Sequence, residues 1–469
     1  MGDVRNLALL GLGTVGRGVV ELLSGGLGAA AGLRIAAVTV ANPGKPEHAA
    51  FLRSHASARF PLPTEFTPLD RVADLPGIDL VVDVTGGGEE VRDVMVRCLR
   101  RGRDVVTANK AVLSRFGREM AAAAEAPGAG RLAYEAAVGG GIPIIRTLRS
   151  YLAHDAVRAV AGIINGTSNY ILSEVSAGRA FADALAEAIR RGYAEPGGGA
   201  DVSGEDACHK LVILSRLAYG AVLSPGELLP TCVRGIAGID ALDFRYARER
   251  LGRGIKALAV AQRLDGGRLS FRVCPVMLRA DSVFLDVRAS YNGILLSCRN
   301  AGRQLLAGPG AGKGPTAHAV LSDVLDLIAR PAGPTPALPV GEGAVTDLIP
   351  LGRHEYEHCY VRFVVRNGPG IVGAIAEAFG RNGMHIHEVL QLDHARDELR
   401  ALGPLRDGSH RATVDAGEAL AFAVTLNRCA FGQVEAVVEQ LAGTTQFHNL
   451  CPPVILPFED GLPELAAGA

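Results

Sequence analysis

Hydrophobic positions near the amino terminus form short apolar runs that alternate with helical periodicities. Residues 4–10 predict a buried strand, and a helical pattern covers residues 16–23. Further runs at 33–40, 80–84 and 104–106 predict additional strands. Strands that alternate with helices in this way are typical of a parallel sheet covered by helices, so we expect an α/β fold.

The first predicted strand runs directly into the glycine-rich segment GLGTVG, residues 11–16. Its glycines permit a tight turn and close backbone approach, and the helix that follows presents its N-terminus to a pyrophosphate. A strand before, a helix after and a second strand at 33–40 supply the context that this motif requires. The segment therefore predicts a Rossmann-type dinucleotide-binding domain with cofactor contacts at Gly11, Gly13, Thr14, Val15 and Gly16.

Two later strand ends are also placed to meet the cofactor. Thr85 follows the strand at 80–84, and TANK, residues 107–110, follows the strand at 104–106. Ligands of open α/β sheets bind beyond the carboxyl ends of the strands, so we expect Thr85, Thr107 and Lys110 at the cofactor. A lysine in the first turn of a helix opposes the helix dipole, which favours a functional role for Lys110 near the nicotinamide and substrate.

The end of the second strand bears on cofactor choice. An acidic residue there favours NAD through the ribose 2′-hydroxyl, whereas a basic residue favours NADP. The segment reads VANPGK, residues 40–45, with no carboxylate and with Lys45 able to face a 2′-phosphate. The sequence favours NADP and leaves NAD open, since Lys45 is equally well explained as an exposed loop lysine.

The polar chemistry of the chain is concentrated at residues 192–214, GYAEPGGGADVSGEDACHKLVIL. Pro196 and three glycines predict a loop, whereas a helix that starts near residue 203 places Asp206 and Lys210 four apart on one face. A lysine between carboxylates suits proton transfer, because burial and neighbours can shift its pKa. The alternative is a solvated loop followed by a helix with a surface ion pair.

A glycine run at residues 139–141 follows Glu135 and a short strand at 132–136. Main-chain carbonyls together with one carboxylate are the ligands that a hard cation prefers. By itself, however, the run is better explained as a simple turn.

The remaining pattern predicts three units in total. Mixed strands and helices from residue 144 predict a mixed α/β substrate and dimerisation domain, and a long apolar helix to residue 328 would return to the first domain. A Pro- and Gly-rich linker precedes a βαββαβ order that is ferredoxin-like, with a mobile loop at 394–417. We expect residues 1–137 plus 303–330 to form the nucleotide domain, 138–302 the substrate domain, 331–353 the linker and 354–460 the last domain.

Composition narrows the functional classes. With 469 residues and 48% hydrophobic residues, the chain can form several cores, and its net charge of −1 gives no general attraction to nucleic acid or membrane surfaces. Eight cysteines without C-x-x-C spacing argue against a disulfide scaffold or thiolate zinc site and fit a cytoplasmic protein. The predicted first strand leaves no room for a signal peptide, and no apolar run is long enough to span a bilayer.

Several segments resemble homoserine dehydrogenases of the long bacterial type and occur in the same order. They are GLGTVG, VTANK, EAAVGGGIP, INGTSNYIL, GYAE followed by DVSGEDACHKL, and GPGAGKGPTA, while VRNGPGIVGAIAEAFGRNGMHIHEVLQ resembles an ACT domain. The resemblance implies reversible NAD(P)H-dependent reduction of L-aspartate 4-semialdehyde to L-homoserine, on the route to threonine, methionine and isoleucine. It also implies a homodimer or homotetramer and an amino-acid effector at the ACT domain.

The resemblance assigns roles to individual residues. It implies that Lys210 is the acid/base lysine, that Lys110 shares in proton transfer, and that Glu195, Asp206 and Asp201 bind or order the substrate. Gly192 and Gly310 would lie at the cofactor. A monovalent cation, expected to be sodium, would bind Glu135 and the main-chain oxygens of Val138, Gly140 and Ile142.

Two segments depart from the family pattern. PGGG at residues 196–199 replaces a segment that usually reads like Ala-Asp-Pro-Thr, and NGPG at 367–370 replaces Asp-Arg-Pro-Gly in the ACT unit. The second change and the long loop predicted at 394–417 weaken the expectation of feedback regulation by an amino acid. A non-catalytic, ACT-gated sensor of NADP and an amino acid is the alternative, but the retained lysines and carboxylates favour an enzyme.

Overall fold

The computed structural model describes residues 4–194, 197–329, 345–392, 399, 402, 415, 418–442 and 449–460. Glu195 and most of the loop predicted at 394–417 lie outside these ranges. The described residues form three units, each built around its own sheet, together with a short two-stranded ribbon.

The first sheet contains five parallel strands in the order β2-β1-β3-β4-β5. The strands are β1 (Arg5–Leu10), β2 (Leu33–Thr39), β3 (Leu80–Asp83), β4 (Asp104–Thr107) and β5 (Leu132–Ala133). The helices of this unit are α1 (Thr14–Leu22), α2 (Gly28–Ala30), α3 (Pro46–His55), α4 (Glu89–Arg100) and α5 (Lys110–Glu125). The order reverses at β1, which creates a ligand crevice between the carboxyl ends of β1 and β3.

Strand β1 shows why the parallel sheet was recognisable from the sequence. Leu7 and Leu9 pack into one apolar cluster, while Ala8 and Leu10 pack into another on the opposite face. A strand that is buried on both faces needs apolar residues at successive positions, which produces a continuous hydrophobic run instead of an alternating pattern.

The second unit is built on a sheet in the order β10-β9-β6-β7-β8-β11. Its strands are β6 (Val157–Ile163), β7 (Arg253–Arg263), β8 (Arg268–Arg279), β9 (Tyr291–Cys298), β10 (Arg303–Pro309) and β11 (Asp347–Ile349). All neighbours are antiparallel except β8 and β11. Its helices are α6 (Ile144–Arg146), α7 (Gly166–Ser176), α8 (Phe181–Arg190), α9 (Gly199–Ser203), α10 (Glu205–Tyr219), α11 (Pro225–Cys232) and α12 (Ala241–Arg250).

Two of the domain boundaries in the structure differ from those expected from the sequence. Strand β10 pairs with β9 in the second sheet, so the segment from residue 303 does not belong to the nucleotide unit as predicted. The chain returns to that unit with α13 (Lys313–Ala329), which packs so closely on α1 that a methyl group on Gly18 would lie 2.8 Å from Lys313 Cγ. Strand β11 lies within the predicted linker. A 3-10 turn, Val283–Asp286, precedes β9.

The third unit has the predicted βαββαβ order. It contains β12 (Glu355–Tyr356), β13 (Cys359–Arg366), α14 (Ile371–Arg381), β14 (Ile386–Leu390), β15 (Ala419–Leu426), β16 (Cys429–Ala430), α15 (Phe431–Ala442) and β17 (Asn449–Pro457). Its main sheet has the antiparallel order β14-β15-β13-β17. This order is that of a ferredoxin-like fold.

Buried ion pairs join the third unit to the second. Arg272 on β8 donates to Glu459 at 2.8 Å, and the two side chains are 1% and 0% exposed. Arg362 Nε donates to Asp243 Oδ1 at 2.7 Å, and the Tyr360 hydroxyl donates to the same oxygen. Because a buried charge is costly without its partner, these pairs define how the third unit sits on the second.

The described residues contain no helix that is long and apolar enough to cross a membrane. All eight cysteines are free thiols, and seven of them are buried. The chain therefore does not depend on disulfide bonds for its stability.

Removing one partner of the Arg272–Glu459 pair tests its structural importance. Glu459→Ala is expected to lower the free energy of unfolding by about 3–5 kcal/mol, because the Arg272 charge would remain buried and unpaired. Urea unfolding followed by circular dichroism measures the change. Glu355→Ala is the control, because it removes an exposed partner of Arg428 and should have little effect. Equal effects of the two substitutions would contradict the interpretation.

Candidate functional site

The glycine-rich turn after β1 has the geometry of an anion-binding helix terminus. Gly11 has a φ of +100°, and a methyl group on Gly16 would lie 2.1 Å from the Gly11 carbonyl oxygen. No side chain caps α1 at Gly13, and a methyl group there would meet no atom within 4 Å. Open space in front of uncapped amide groups fits the pyrophosphate of a dinucleotide.

Asp83 joins the ends of β3 and β4 beside this turn. Its carboxylate accepts from the Thr85 hydroxyl at 2.6 Å and from the Thr107 hydroxyl at 2.8 Å. Burial raises the pKa of Asp83, while these hydrogen bonds oppose the shift. Thr85 lies against Gly11, and the hydroxyl groups of both threonines are engaged by Asp83.

Asn109 places Lys110 at the start of α5. Its Oδ1 accepts from Val112 N at 3.1 Å, and its Nδ2 donates to Gly87 O at 2.8 Å. An asparagine cap of this kind stabilises a helix by about 1 kcal/mol. The second bond ties the cap to the loop after β3, so Lys110 projects from the carboxyl edge of the parallel sheet.

Lys110 and Lys210 come from different units and meet at one carboxylate. Lys110 Nζ lies 3.1 Å from Asp206 Oδ1, and Lys210 Nζ lies 2.6 Å from Asp206 Oδ2. The predicted four-residue spacing of Asp206 and Lys210 on α10 is therefore present as a side-chain contact. The Lys110 side chain is 43% exposed, whereas Lys210 is 11% exposed and also donates to Ile164 O at 2.9 Å.

Asn165 completes this cluster and was not assigned a role from the sequence. It caps α7 by accepting from Ser168 N at 2.7 Å. Its Nδ2 donates to Asp201 Oδ1 at 2.6 Å and to Asp206 Oδ2 at 2.8 Å. An asparagine between a strand and a helix is a recognisable cap signal, but its contact with residues 36 and 41 positions later is a tertiary feature.

The two described aspartates of the cluster have opposite pKa shifts. Burial by itself would raise the pKa of Asp206, but the ammonium groups of Lys210 and Lys110 outweigh it and hold the pKa below its usual range. Burial raises the pKa of Asp201, and the hydrogen bond from Asn165 only partly opposes that shift. Asp206 is therefore a permanently charged anchor for the lysines.

Helices α5 and α10 are fastened together next to this cluster. His209 Nδ1 lies 2.6 Å from Ser114 Oγ, and Arg216 donates to Leu113 O at 2.7 Å and to Ser114 O at 3.1 Å. A methyl group on Gly117 would lie 1.9 Å from Arg216 Nη1, so the glycine leaves space for the guanidinium in its present position. These contacts join the helix that carries Lys110 to the helix that carries Asp206 and Lys210.

Gly310 lies where the chain crosses between the first two units. Gly141 N donates to Pro309 O at 3.1 Å, and a methyl group on Gly140 would lie 2.6 Å from the Gly310 carbonyl carbon. Gly192 lies just after α8 with a φ of +73°.

Glu135 is a buried carboxylate just before the glycine run at 139–141. Its two carboxylate oxygens accept from Ile145 N at 2.9 Å and Arg146 N at 2.7 Å, and burial raises the pKa of Glu135 to about 7. The carbonyl of Ile142 accepts from Ile144 N. Within the described chain no cluster of three His, Cys, Asp or Glu side chains suits a metal ion, so a cation here would rely on main-chain oxygens.

Lys45 caps the amino end of α3 a few residues beyond β2 and is exposed. Gly11 N donates to Thr39 O at 2.9 Å, so the end of β2 lies next to the glycine turn. This position fits both interpretations of Lys45, a contact to a 2′-phosphate and an ordinary surface lysine.

Comparisons with known proteins show which family the chain resembles. A family model described as homoserine dehydrogenase matches residues 143–325, and one described as its NAD binding domain matches residues 11–135. The homoserine dehydrogenase of Synechocystis sp. is 34% identical over 434 residues, which cover 87% of this chain and 95% of the relative. A homoserine dehydrogenase structure from Thiobacillus denitrificans is 31% identical, with a TM-score of 0.78, and covers 97% of this chain and 98% of its own.

A hyperthermophilic archaeal homoserine dehydrogenase solved in complex with NADPH shares the fold at 24% identity. Its TM-score is 0.56, and the match covers 70% of this chain and 99% of that one.

The two glycines of the turn should respond differently to alanine. Gly16→Ala is expected to lower both the thermal unfolding midpoint and the affinity for NADPH, because its methyl group would collide with Gly11 O. Gly13→Ala should leave the midpoint unchanged and weaken only NADPH binding, because its methyl group meets no protein atom but enters the space for the pyrophosphate. Thermal melts and fluorescence titrations measure the two effects. Unchanged NADPH affinity in Gly13→Ala would contradict the proposed phosphate position.

Proposed function

The chain belongs to the homoserine dehydrogenase family of NAD(P)-dependent oxidoreductases, and we propose that it performs the family reaction at the Lys110–Asp206–Lys210 cluster. The reaction is the reversible reduction of L-aspartate 4-semialdehyde to L-homoserine. The observation that carries this proposal is the meeting of two ammonium groups at one buried carboxylate, at the edge of the sheet where a dinucleotide binds. A non-catalytic sensor would not require this arrangement of lysines.

Lys210 is the proposed proton donor for reduction and acceptor for oxidation. Two of its three N–H bonds are directed at Ile164 O and Asp206, which leaves one for a substrate oxygen among the contacts that the structure describes. The reduced nicotinamide supplies the hydride to the aldehyde carbon. Lys210 donates a proton to the aldehyde oxygen as it becomes the hydroxyl, and Lys110, which is more exposed, shares in the proton transfer.

The proposed substrate site uses the acids of the central segment. Glu195 and Asp206 would bind the substrate ammonium, and Asp201 would order the site through Asn165. Asp206 already accepts from both lysines and Asn165, so much of its capacity is used in positioning. Holding the substrate by its ammonium fixes the reacting carbon relative to the lysines, which is an orientation effect.

We propose NADP as the preferred cofactor, with NAD as the alternative. The absence of a carboxylate in VANPGK and the position of Lys45 after β2 support this choice. The NADPH complex of the archaeal relative is consistent with it. Gly11, Gly13, Thr14, Val15 and Gly16 would bind the dinucleotide together with Thr85, Thr107, Lys110, Gly192 and Gly310.

A monovalent cation, sodium, is proposed at Glu135 and the main-chain oxygens of Val138, Gly140 and Ile142. The donor types fit a hard cation. Glu135 is buried, and a cation would compensate the charge that burial disfavours. Because each Glu135 oxygen accepts only one described amide bond, each retains a lone pair for coordination.

The third unit is proposed to be an ACT domain that binds an amino-acid effector. Its ferredoxin-like strand order supports the assignment, and α14 begins after Gly370, which has a φ of +82°. Asn367 and Gly368 replace the usual Asp-Arg pair, which weakens the expectation of amino-acid feedback. A homodimer or homotetramer in the cytoplasm is proposed from the family resemblance.

Replacement of Lys210 tests the proton-transfer proposal. Lys210→Met is expected to lower kcat about 10²–10⁴-fold, the usual contribution of a general acid or base, and to leave NADPH affinity unchanged. Stopped assays of homoserine oxidation and NADPH titrations separate the two quantities. Lys313→Met is the matched control, since that exposed lysine pairs with Glu21 on α1. Near-normal turnover in Lys210→Met would remove the assignment.

Cofactor preference is tested at Lys45. Lys45→Ala should raise the KM for NADP about tenfold through loss of a charged contact and leave the KM for NAD unchanged, since NAD has no 2′-phosphate. Initial rates with each cofactor give both constants. Arg53→Ala, on the same helix and exposed, is the control. Parallel changes with both cofactors would contradict the role of Lys45.

The cation proposal is tested by stability. Sodium is expected to raise the thermal unfolding midpoint of the wild-type chain and not that of Glu135→Gln, which lacks the carboxylate charge. Tetramethylammonium at equal ionic strength controls for screening. A sodium effect of the same size in both proteins would rule out this site.

A further inference from the structure

A cavity lies between α5 and α10, away from the Lys110–Asp206–Lys210 cluster. Its enclosed volume is about 50 Å³ and it opens to solvent, so only a small ligand would fit. Both helices and the segment around β5 contribute to its wall. The lining residues are Leu113, Gly117, Ala121, Ala124, Glu125, Leu132, Tyr134, Arg149, Ile213 and Arg216.

Two arginines face this cavity without an ion-pair partner among the described residues. Among the described residues, Arg216 donates to the carbonyl oxygens of Leu113 and Ser114, and its buried Nε has no hydrogen-bond partner there. Arg149, in the π-helical segment Thr147–Tyr151, donates weakly to Leu132 O and lies over the Tyr134 ring at 5.4 Å. Partly buried guanidinium groups normally pair with an anion, so two uncompensated ones in a single cavity point to an anionic ligand.

The backbone of α5 makes room for Arg216 at a cost. Gly117 occupies the middle of α5, where a glycine is less favourable than alanine. A side chain there would collide with the guanidinium. Gly117 therefore leaves space for the Arg216 guanidinium in the position that it takes on the cavity wall.

The remaining lining residues indicate which chemical groups the ligand carries besides its anionic group. Leu113, Ala121, Leu132 and Ile213 are aliphatic. Glu125 is exposed at the cavity and forms no described ion pair, so it is available to an ammonium group of a ligand. An aliphatic body with one carboxylate complements the charge and the polarity of this wall.

We propose that this cavity binds a small aliphatic carboxylate, with the carboxylate held by Arg149 and Arg216 and the carbon chain against Leu113 and Ile213. A planar guanidinium is well suited to paired hydrogen bonds with a carboxylate. The site is separate from the reaction centre but lies on the two helices that carry it. The proposal does not depend on the catalytic roles assigned above, because it concerns binding alone.

Isothermal calorimetry on the full-length chain tests the site with isobutyrate as the probe and isobutyramide as its uncharged counterpart. Isobutyrate should bind saturably, and isobutyramide should not bind. Arg149→Met should weaken isobutyrate binding about tenfold or more, as expected for loss of a charge-assisted hydrogen bond. Arg115→Met is the control, because this exposed arginine lies on the same helix but outside the cavity, and it should bind as the wild type does.

A second pair of measurements distinguishes a plain acid from an amino acid. If the occupant carries an ammonium group, L-valine should bind more tightly than isobutyrate to the wild-type chain, and Glu125→Gln should abolish that advantage. Equal binding of the two supports a plain carboxylate in the same site.

The proposal is overturned if neither isobutyrate nor L-valine binds saturably, or if isobutyramide binds as well as isobutyrate. It is also overturned if Arg149→Met binds isobutyrate and L-valine as the wild type does. Arg216→Met should also lose binding. Arg149→Met keeps the test decisive if Arg216→Met does not fold, because Arg149 takes no part in fastening α5 to α10.

Discussion

The carboxylate of Asp206 is the contact on which the candidate active site depends. It accepts from Lys110, Lys210 and Asn165, which arrive from the first unit, from its own helix and from the N-terminus of α7. Two ammonium groups at this separation would repel each other without the carboxylate between them. Three elements from two units are therefore held in one geometry by a single charged side chain.

This geometry depends on the fastening of α5 to α10. The contacts of Ser114 with His209 and of Leu113 with Arg216 hold the helices side by side within two turns of the lysines. The chain also crosses between the units through two adjacent segments that are hydrogen-bonded at Gly141 and Pro309. Because α5 belongs to the first unit and α10 to the second, these contacts also hold Lys110 close to Asp206.

The third unit is attached by a different kind of interaction. Its buried pairs, Arg272–Glu459 and Arg362–Asp243, contribute orientation more than net stability, because desolvation offsets most of the Coulomb attraction. Asp243 also accepts a hydrogen bond from the Tyr360 hydroxyl. Its other carboxylate oxygen accepts from Asp240 N, which completes the capping box at the start of α12. The third unit is therefore docked on the second unit through buried charges.

Local patterns predicted much of this protein. The continuous apolar run of β1, the glycine spacing of residues 11–16 and the four-residue spacing of Asp206 and Lys210 depend on backbone geometry and helix period, which neighbouring residues dictate. The βαββαβ order of the third unit could also be predicted from local patterns, because each of its strands and helices has its own hydrophobic periodicity. Domain boundaries were harder to predict. The sequence assigned β10 to the nucleotide domain, because only its pairing with β9 shows that it belongs to the second sheet.

The sequence by itself therefore determined most of the elements and indicated Lys110, Asp206 and Lys210 as candidate site residues. Only the tertiary structure decided that Lys110 meets Asp206 across 96 positions, that Asn165 joins Asp201 to Asp206, and that Arg216 lies against Gly117. These contacts join residues far apart in the chain, and no local periodicity specifies which distant partner a side chain will meet. Packing of the units against one another makes that choice, because it is the whole buried surface that fixes their relative positions.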